Sequence, residues 1–77
     1  PSDEMLAVLD VLAGDAKWEV RRQAAELLAQ VPEEAFHRLG ARLTEDQNSY
    51  VRKAAERSMD RRRKGQQLSA RRRQMFG

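Results

Sequence analysis

Cysteine is absent from the 77 residues, so neither a disulfide framework nor a thiolate zinc site can staple the fold. A chain of this length buries only ~60% of the surface its unfolded form exposes. Stability must therefore come from helix packing or from neighbouring chain. No apolar run approaches the ~20 residues that span a bilayer, and no basic region followed by an apolar one opens the chain. A soluble, unsecreted, cytoplasmic protein is expected. Histidine occurs once: His37 lies between Phe36 and Arg38, off the apolar face, and a metal site would want two or more spaced ligands. It reads as a solvated side chain near Glu33 and Glu34. Neither a Gly-x-Gly-x-x-Gly turn nor a P-loop is present, and no serine is backed by a histidine and an acid in a recognisable motif. Asp3 with Glu4, and Glu33 with Glu34, occupy helix starts, where the helix dipole accounts for them. The expectation is no catalysis, no cofactor and no metal.

What is present divides sharply by charge. The net +3 hides residues 1–60, where 12 acids outweigh 8 Lys and Arg, and residues 61–77, which carry seven cations and no acid. Two bodies are implied, a folded domain over 1–60 and a basic tail over 61–77, and the high pI belongs to the tail.

The apolar spacing predicts four helices. The first runs to about Ala13, with Met5, Val8, Leu9 and Leu12 on its buried face and Leu6 and Val11 off it. Gly14 suits its C-terminus. Asp15 opens the turn into a second helix, Trp18 to Gln30, striped by Val20, Ala24, Leu27, Leu28 and Val31. Pro32 with Glu33 and Glu34 starts a third helix, buried through Phe36, Leu39 and Leu43. After the polar connection Thr44 to Ser49, Val51, Ala55 and Met59 mark a fourth.

An echo orders these elements. Asp15-Ala-Lys-Trp-Glu-Val20-Arg21-Arg-Gln-Ala24-Ala25 returns as Asp46-Gln-Asn-Ser-Tyr-Val51-Arg52-Lys-Ala-Ala55, 31 residues later. The same offset pairs Met5 with Phe36, Val8 with Leu39 and Leu12 with Leu43. It also turns Leu27 into Ser58 and Val31 into Arg62, a polar stripe expected of a terminal repeat with no following neighbour. On these residues the chain resembles HEAT repeats of the short type, about thirty residues long, over residues 5–62. The resemblance implies an all-α, solenoid-like stack of two helical hairpins. It also implies a structural ladder of Asp15, Arg21, Asp46 and Arg52, with Asp46 and Arg21 as the cross-repeat pair. Ser58 and Arg62 are expected to weaken the second unit.

Function must sit on what the repeat leaves over. Trp18 and Tyr50 start the two second helices and are candidate anchors for a protein partner; Trp18 alternatively covers the turn end of the core. Leu6 and Val11 are further partner-binding candidates. In the tail, Arg61, Arg62, Arg63, Lys64, Arg71, Arg72 and Arg73 are candidate phosphate or electrostatic contacts. The same cations, with Leu68, Met75 and Phe76, fit an anionic membrane surface, or they are the solvated charges of a helical connector. A small acidic module followed by an arginine-rich helix resembles the N-terminal end of multidomain bacterial regulators, sensor histidine kinases included. The Met75-Phe76-Gly77 end is expected to continue in a parent protein. The reading is a non-catalytic protein-interaction or regulatory module, its partner another protein or an adjacent domain. The alternative is a nucleic-acid-binding module working through the tail. Oligomeric state is left open.

Overall fold

The computed structural model describes the backbone of residues 2–76 and the side chains of residues 3–68. Four α-helices follow one another: α1 (Ser2–Ala13), α2 (Trp18–Glu26), α3 (Glu33–Thr44) and α4 (Ser49–Phe76), with a 3₁₀ turn at Leu28–Gln30. Among the described residues there is no strand. The helices pair as two hairpins, α1 with α2 and α3 with α4, stacked so that α2 lies against α4 and α1 against α3. This is the expected all-α stack of two helical hairpins.

The core is built from small and branched side chains: Leu9 and Ala13 of α1, Ala24, Ala25 and Leu28 of the next segment, Ala35, Leu39 and Leu43 of α3, and Val51, Ala54 and Ala55 of α4. Buried alanines on both α2 and α4 let those helices approach closely. Gly40 does the same between α3 and α4, because a Cβ there would lie 3.2 Å from the Met59 Sδ and Cε.

The second helix stops sooner than its apolar stripe predicts. Leu27 donates its N–H to the Ala24 carbonyl at 3.1 Å and Gln30 to Leu27 at 3.0 Å, so the last turn tightens to 3₁₀ geometry. Val31 is then extended, with φ −81° and ψ 154°, the conformation a following proline imposes. Pro32 accepts the Ala35 and Phe36 N–H groups at 3.0 Å and thereby launches α3. The start of α4 is capped by Asn48, whose Oδ1 takes the Tyr50 N–H at 2.8 Å and the Val51 N–H at 3.4 Å. Gly14 adopts no left-handed conformation; its lack of a side chain instead admits the Arg42 guanidinium, whose Nη2 lies 2.8 Å from where a Cβ would be.

Two faces turn out differently from the helical-wheel reading. Leu6 packs against the core, and Val8 is 56% exposed. At the register of Val8, one unit later, Leu39 is 1% exposed. The difference is the neighbour: α3 has a hairpin in front of it and α1 has none. The second correction concerns Ser58 and Arg62. Ser58 is fully buried, with its Oγ taking an N–H of Arg61 at 3.3 Å. Arg62 reaches back to donate to the Leu28 carbonyl at 3.5 Å and to the Val31 carbonyl, and its guanidinium lies 4.2 Å from the Phe36 ring centre. These polar substitutions therefore serve the packing: Arg62 gives the Val31 carbonyl a donor and adds a second one to the Leu28 carbonyl, which already takes the Val31 N–H.

The register pair makes a direct comparison. Leu39→Ala should cost ~2–5 kcal/mol in urea denaturation, a large share of the ~5–15 kcal/mol a small domain has. Val8→Ala, at the same register but uncovered, should stay within about 0.5 kcal/mol of the parent.

Candidate protein-interaction surface

Both turns that join the helices of a hairpin are built in the same way. Asp15 accepts the Lys17 N–H on Oδ1 at 2.8 Å, and Asp46 accepts the Asn48 N–H on Oδ1 at 2.9 Å. Each closes a tight side-chain turn that aims the next helix. An arginine six residues on then reaches back to the turn. Arg21 Nη1 donates to the Asp15 carbonyl at 2.8 Å and to that of Ala16 at 3.1 Å, while Arg52 Nη1 donates to the Asp46 carbonyl at 2.7 Å.

Arg21 does one thing more. Its Nε and Nη2 grip the Asp46 carboxylate of the next turn at 2.7 and 3.1 Å, a two-pronged contact with both side chains largely removed from water. Burial alone would raise the Asp46 pKa. The Arg21 hydrogen bonds, the Asn48 N–H and the nearby charges of Arg21 and Arg52 outweigh it and hold the carboxyl below its ordinary value. The same hydrogen bonds raise Arg21 further above its own ordinary value. A second link between the units lies outside: Arg38 of α3 meets Asp10 of α1 at 2.6 and 3.3 Å, in an exposed pair.

The aromatic residues come together. Trp18, half-buried against the core, stacks on Tyr50 with ring centres 5.3 Å apart and planes 25° from parallel. The pair bridges the two hairpins, since Trp18 opens α2 and Tyr50 lies in the first turn of α4. Tyr50 remains 58% exposed and Val11 71% exposed. Of the four partner-binding candidates, Val11 and Tyr50 face solvent, Trp18 covers the turn end of the core, and Leu6 is largely taken up by the core.

The tail cations separate in a similar way. The hydrogen bonds of Arg62 go into the fold. Arg61, Arg63 and Lys64 are exposed, with Asp60 3.8 Å from Arg63 and 3.6 Å from Lys64. The side chains of Arg71, Arg72 and Arg73 lie outside the described residues. Residue 60, where the composition changes, falls inside α4, which runs unbroken through it. Sequence reading missed Val8 as an exposed side chain and Asn48 as a cap; the register of Leu39 against Val8 and an asparagine directly before a helical start were the available signals.

Among the described residues no cluster of three or more His, Asp or Glu could hold a metal ion, and no helix is long and apolar enough to cross a membrane. His37 is exposed beside the edge of Phe36.

Two hairpins related by a constant 31-residue step, with equivalent turns tied by one arginine, define a helical-repeat protein. A family model described as HEAT repeats matches residues 1–60. The chain belongs to the HEAT-repeat family, whose repeats generally act as non-catalytic scaffolds for protein–protein interaction. No curated protein and no solved structure matches the chain.

The Asp46 geometry fixes a pH dependence. Its folded-state pKa lies below the unfolded value of ~3.9, so the pair's contribution is fully present above that value. It is lost as pH falls from about 4 through the lowered folded value. Asp46→Asn should lower the thermal midpoint at neutral pH and flatten this acid limb. The shallow limb that remains comes from Asp10, whose pKa the Arg38 hydrogen bond also lowers. Thermal melts from pH 7 to pH 2 check both.

Proposed function

We propose that the chain is a protein-interaction or regulatory module of a larger protein, that its partner binds the α1 side of the stack, and that α4 beyond residue 60 connects the module to the next domain. The observation that carries this reading is the inequality of the two outer edges. On the α1 side Val8 and Val11 are exposed, and Val20, Leu27 and Trp18 are half-buried. On the opposite side α4 shows Lys53, Glu56, Arg57, Asp60 and Arg63, with Met59 half-buried among them. A terminal repeat that ends in water has a polar outer face, and the α4 edge is the more polar of the two.

The continuity of α4 supports the connector role. A helix rises ~1.5 Å per residue, so the 28 residues of α4 make a rod of about 40 Å whose first part belongs to the second hairpin. Its lead-out residues Arg63, Lys64, Gln66, Gln67 and Leu68 are exposed.

One feature favours a second reading. Lys53, Arg57, Arg61 and Lys64 recur at three- and four-residue steps on an exposed strip of α4, a spacing that suits a nucleic-acid backbone. Against it, Asp60 lies beside Arg61 and Lys64 in the groove that Glu26 also lines.

Val8→Asp with Val11→Asp changes two exposed positions and should leave the urea midpoint nearly unmoved. In quantitative affinity capture it should strip away the partners that the parent chain retains; an unaltered partner set would sink the α1-side reading. For the second reading, binding to mixed-sequence duplex DNA is followed against salt. A phosphate-binding strip gives a log–log slope of about −0.9 per phosphate neutralised, and Lys53→Gln, Arg57→Gln, Arg61→Gln and Lys64→Gln together should abolish it. Absence of salt-sensitive binding in the parent chain rejects that reading.

A further inference from the structure

We infer that the α1 face binds a second copy of this chain, taking the basic lead-out of that copy's α4 along Val8 and Val11. This deepens the interaction reading and rests on it, since it names the occupant of the α1 side.

Four large apolar side chains are exposed among the described residues: Val8, Val11, Tyr50 and Leu68. Tyr50 already stacks on Trp18. The other three stand on two helical stretches of opposite charge. α1 carries Asp3, Glu4 and Asp10 and no Lys or Arg, whereas residues 61–76 of α4 carry seven cations and no acid. From Arg63 to Leu68 every side chain is exposed, so the fold covers no side of that part of the helix.

The two stretches match in spacing. Val8 and Val11, three residues apart, share one face of α1. Glu4 stands four residues before Val8, and Asp15 stands four after Val11, just beyond the helix end. On α4 the pattern returns with the sign reversed, Lys64 four before Leu68 and Arg72 four after it. Gly65 shares the Leu68 face one turn earlier, and nothing from the rest of the fold lies within 4 Å of where its Cβ would be. Leu68 and the bare backbone at Gly65 thus offer a ridge and a gap to the two valines. The flanking cations are spaced to meet the flanking carboxylates.

Charge also decides among the contacts that two copies could make. Two α1 faces would set acids against acids, and two lead-outs would set cations against cations; α1 with a lead-out attracts. The chain's own lead-out does not reach, because α1 and α4 make no contact and α4 continues unbroken to Phe76. Each copy carries both halves and so can give and receive the contact within one pair. A helix that docks along its side still runs on at its end, which keeps the connector role.

The test follows the full chain, freed of nucleic acid by nuclease and ion exchange, in sedimentation velocity at rising concentration. Exposed ion pairs contribute little singly and are screened by salt, so association should grow with concentration at low salt and decline at high salt. Glu4→Lys with Val11→Lys, and separately Lys64→Glu with Leu68→Glu, should each weaken it by roughly tenfold or more. Mixed in equal amounts, the two variants should associate again, since the first keeps the parent's lead-out and the second keeps the parent's α1 face. All four positions are exposed, and urea melts check that both variants fold. Should the α1 variant unfold, Leu68→Glu alone, on a stretch the fold does not cover, carries the same expectation. A parent chain that stays monomeric throughout, variants that associate as the parent does, or a mixture no more associated than its components overturns the inference. If the parent stays monomeric while Val8→Asp with Val11→Asp still strips away captured partners, the interaction reading stands and the second-copy inference alone falls.

Discussion

Arg21 is the side chain that touches both turns of the stack. Its guanidinium fills the carbonyls of its own turn through Nη1 and the carboxylate of the next turn through Nε and Nη2. One planar group thereby sets where the second hairpin begins relative to the first. The net energy of such a pair is small, because two charges surrender water to form it. The apolar contacts of Leu9, Leu28, Leu39, Leu43 and Val51 drive the packing, but they are non-directional and would tolerate a slip along the helices. The fork of the guanidinium would not, and Asp46 reinforces it by ordering the Asn48 N–H that precedes α4.

That division of labour explains which parts of the molecule could be read before the structure was known. The turns were legible because an aspartate, and an arginine six residues beyond it, recur at a fixed step, and the resemblance to HEAT repeats implied that both are structural. The outcome at Val8 was not legible, because a periodic apolar pattern marks a face without saying whether anything lies opposite it. Leu39 and Val8 have the same register and similar side chains, and a neighbouring hairpin alone separates buried from exposed. Arg62 was hidden by composition. Counted among the cations that begin a basic run, it belongs by geometry to the end of the first hairpin, where it meets two carbonyls and the face of Phe36.

Composition likewise suggested a boundary that the backbone does not mark. The acidic and basic parts of the chain meet near residue 60, inside the unbroken α4. By helix, the contrast is larger: residues 1–48 carry ten acids against five Lys and Arg, and α4 carries ten Lys and Arg against two acids. The stack thus joins an acidic half to a basic helix, and some of that opposition is neutralised internally by Arg21 with Asp46 and Arg38 with Asp10. Arg38 and Asp10 sit in water and contribute little; Arg21 and Asp46 are shielded and set the register.

The two outer edges then differ for a physical reason. At the α4 edge, Glu56 and Asp60 replace the alanines that would be needed to carry the stack onward, and carboxylates left in water are content there. At the α1 edge, leaving Val8, Val20 and Leu27 partly in water forfeits burial that Leu39, Val51 and Ser58 obtain one unit later. Repeat stability is approximately a sum of what each unit holds by itself and what each junction adds. With two hairpins there is a single internal junction, and Leu39, Val51 and Ser58 owe their burial to it. The two outer edges of the described stack differ through a few side chains laid on two nearly equivalent backbones.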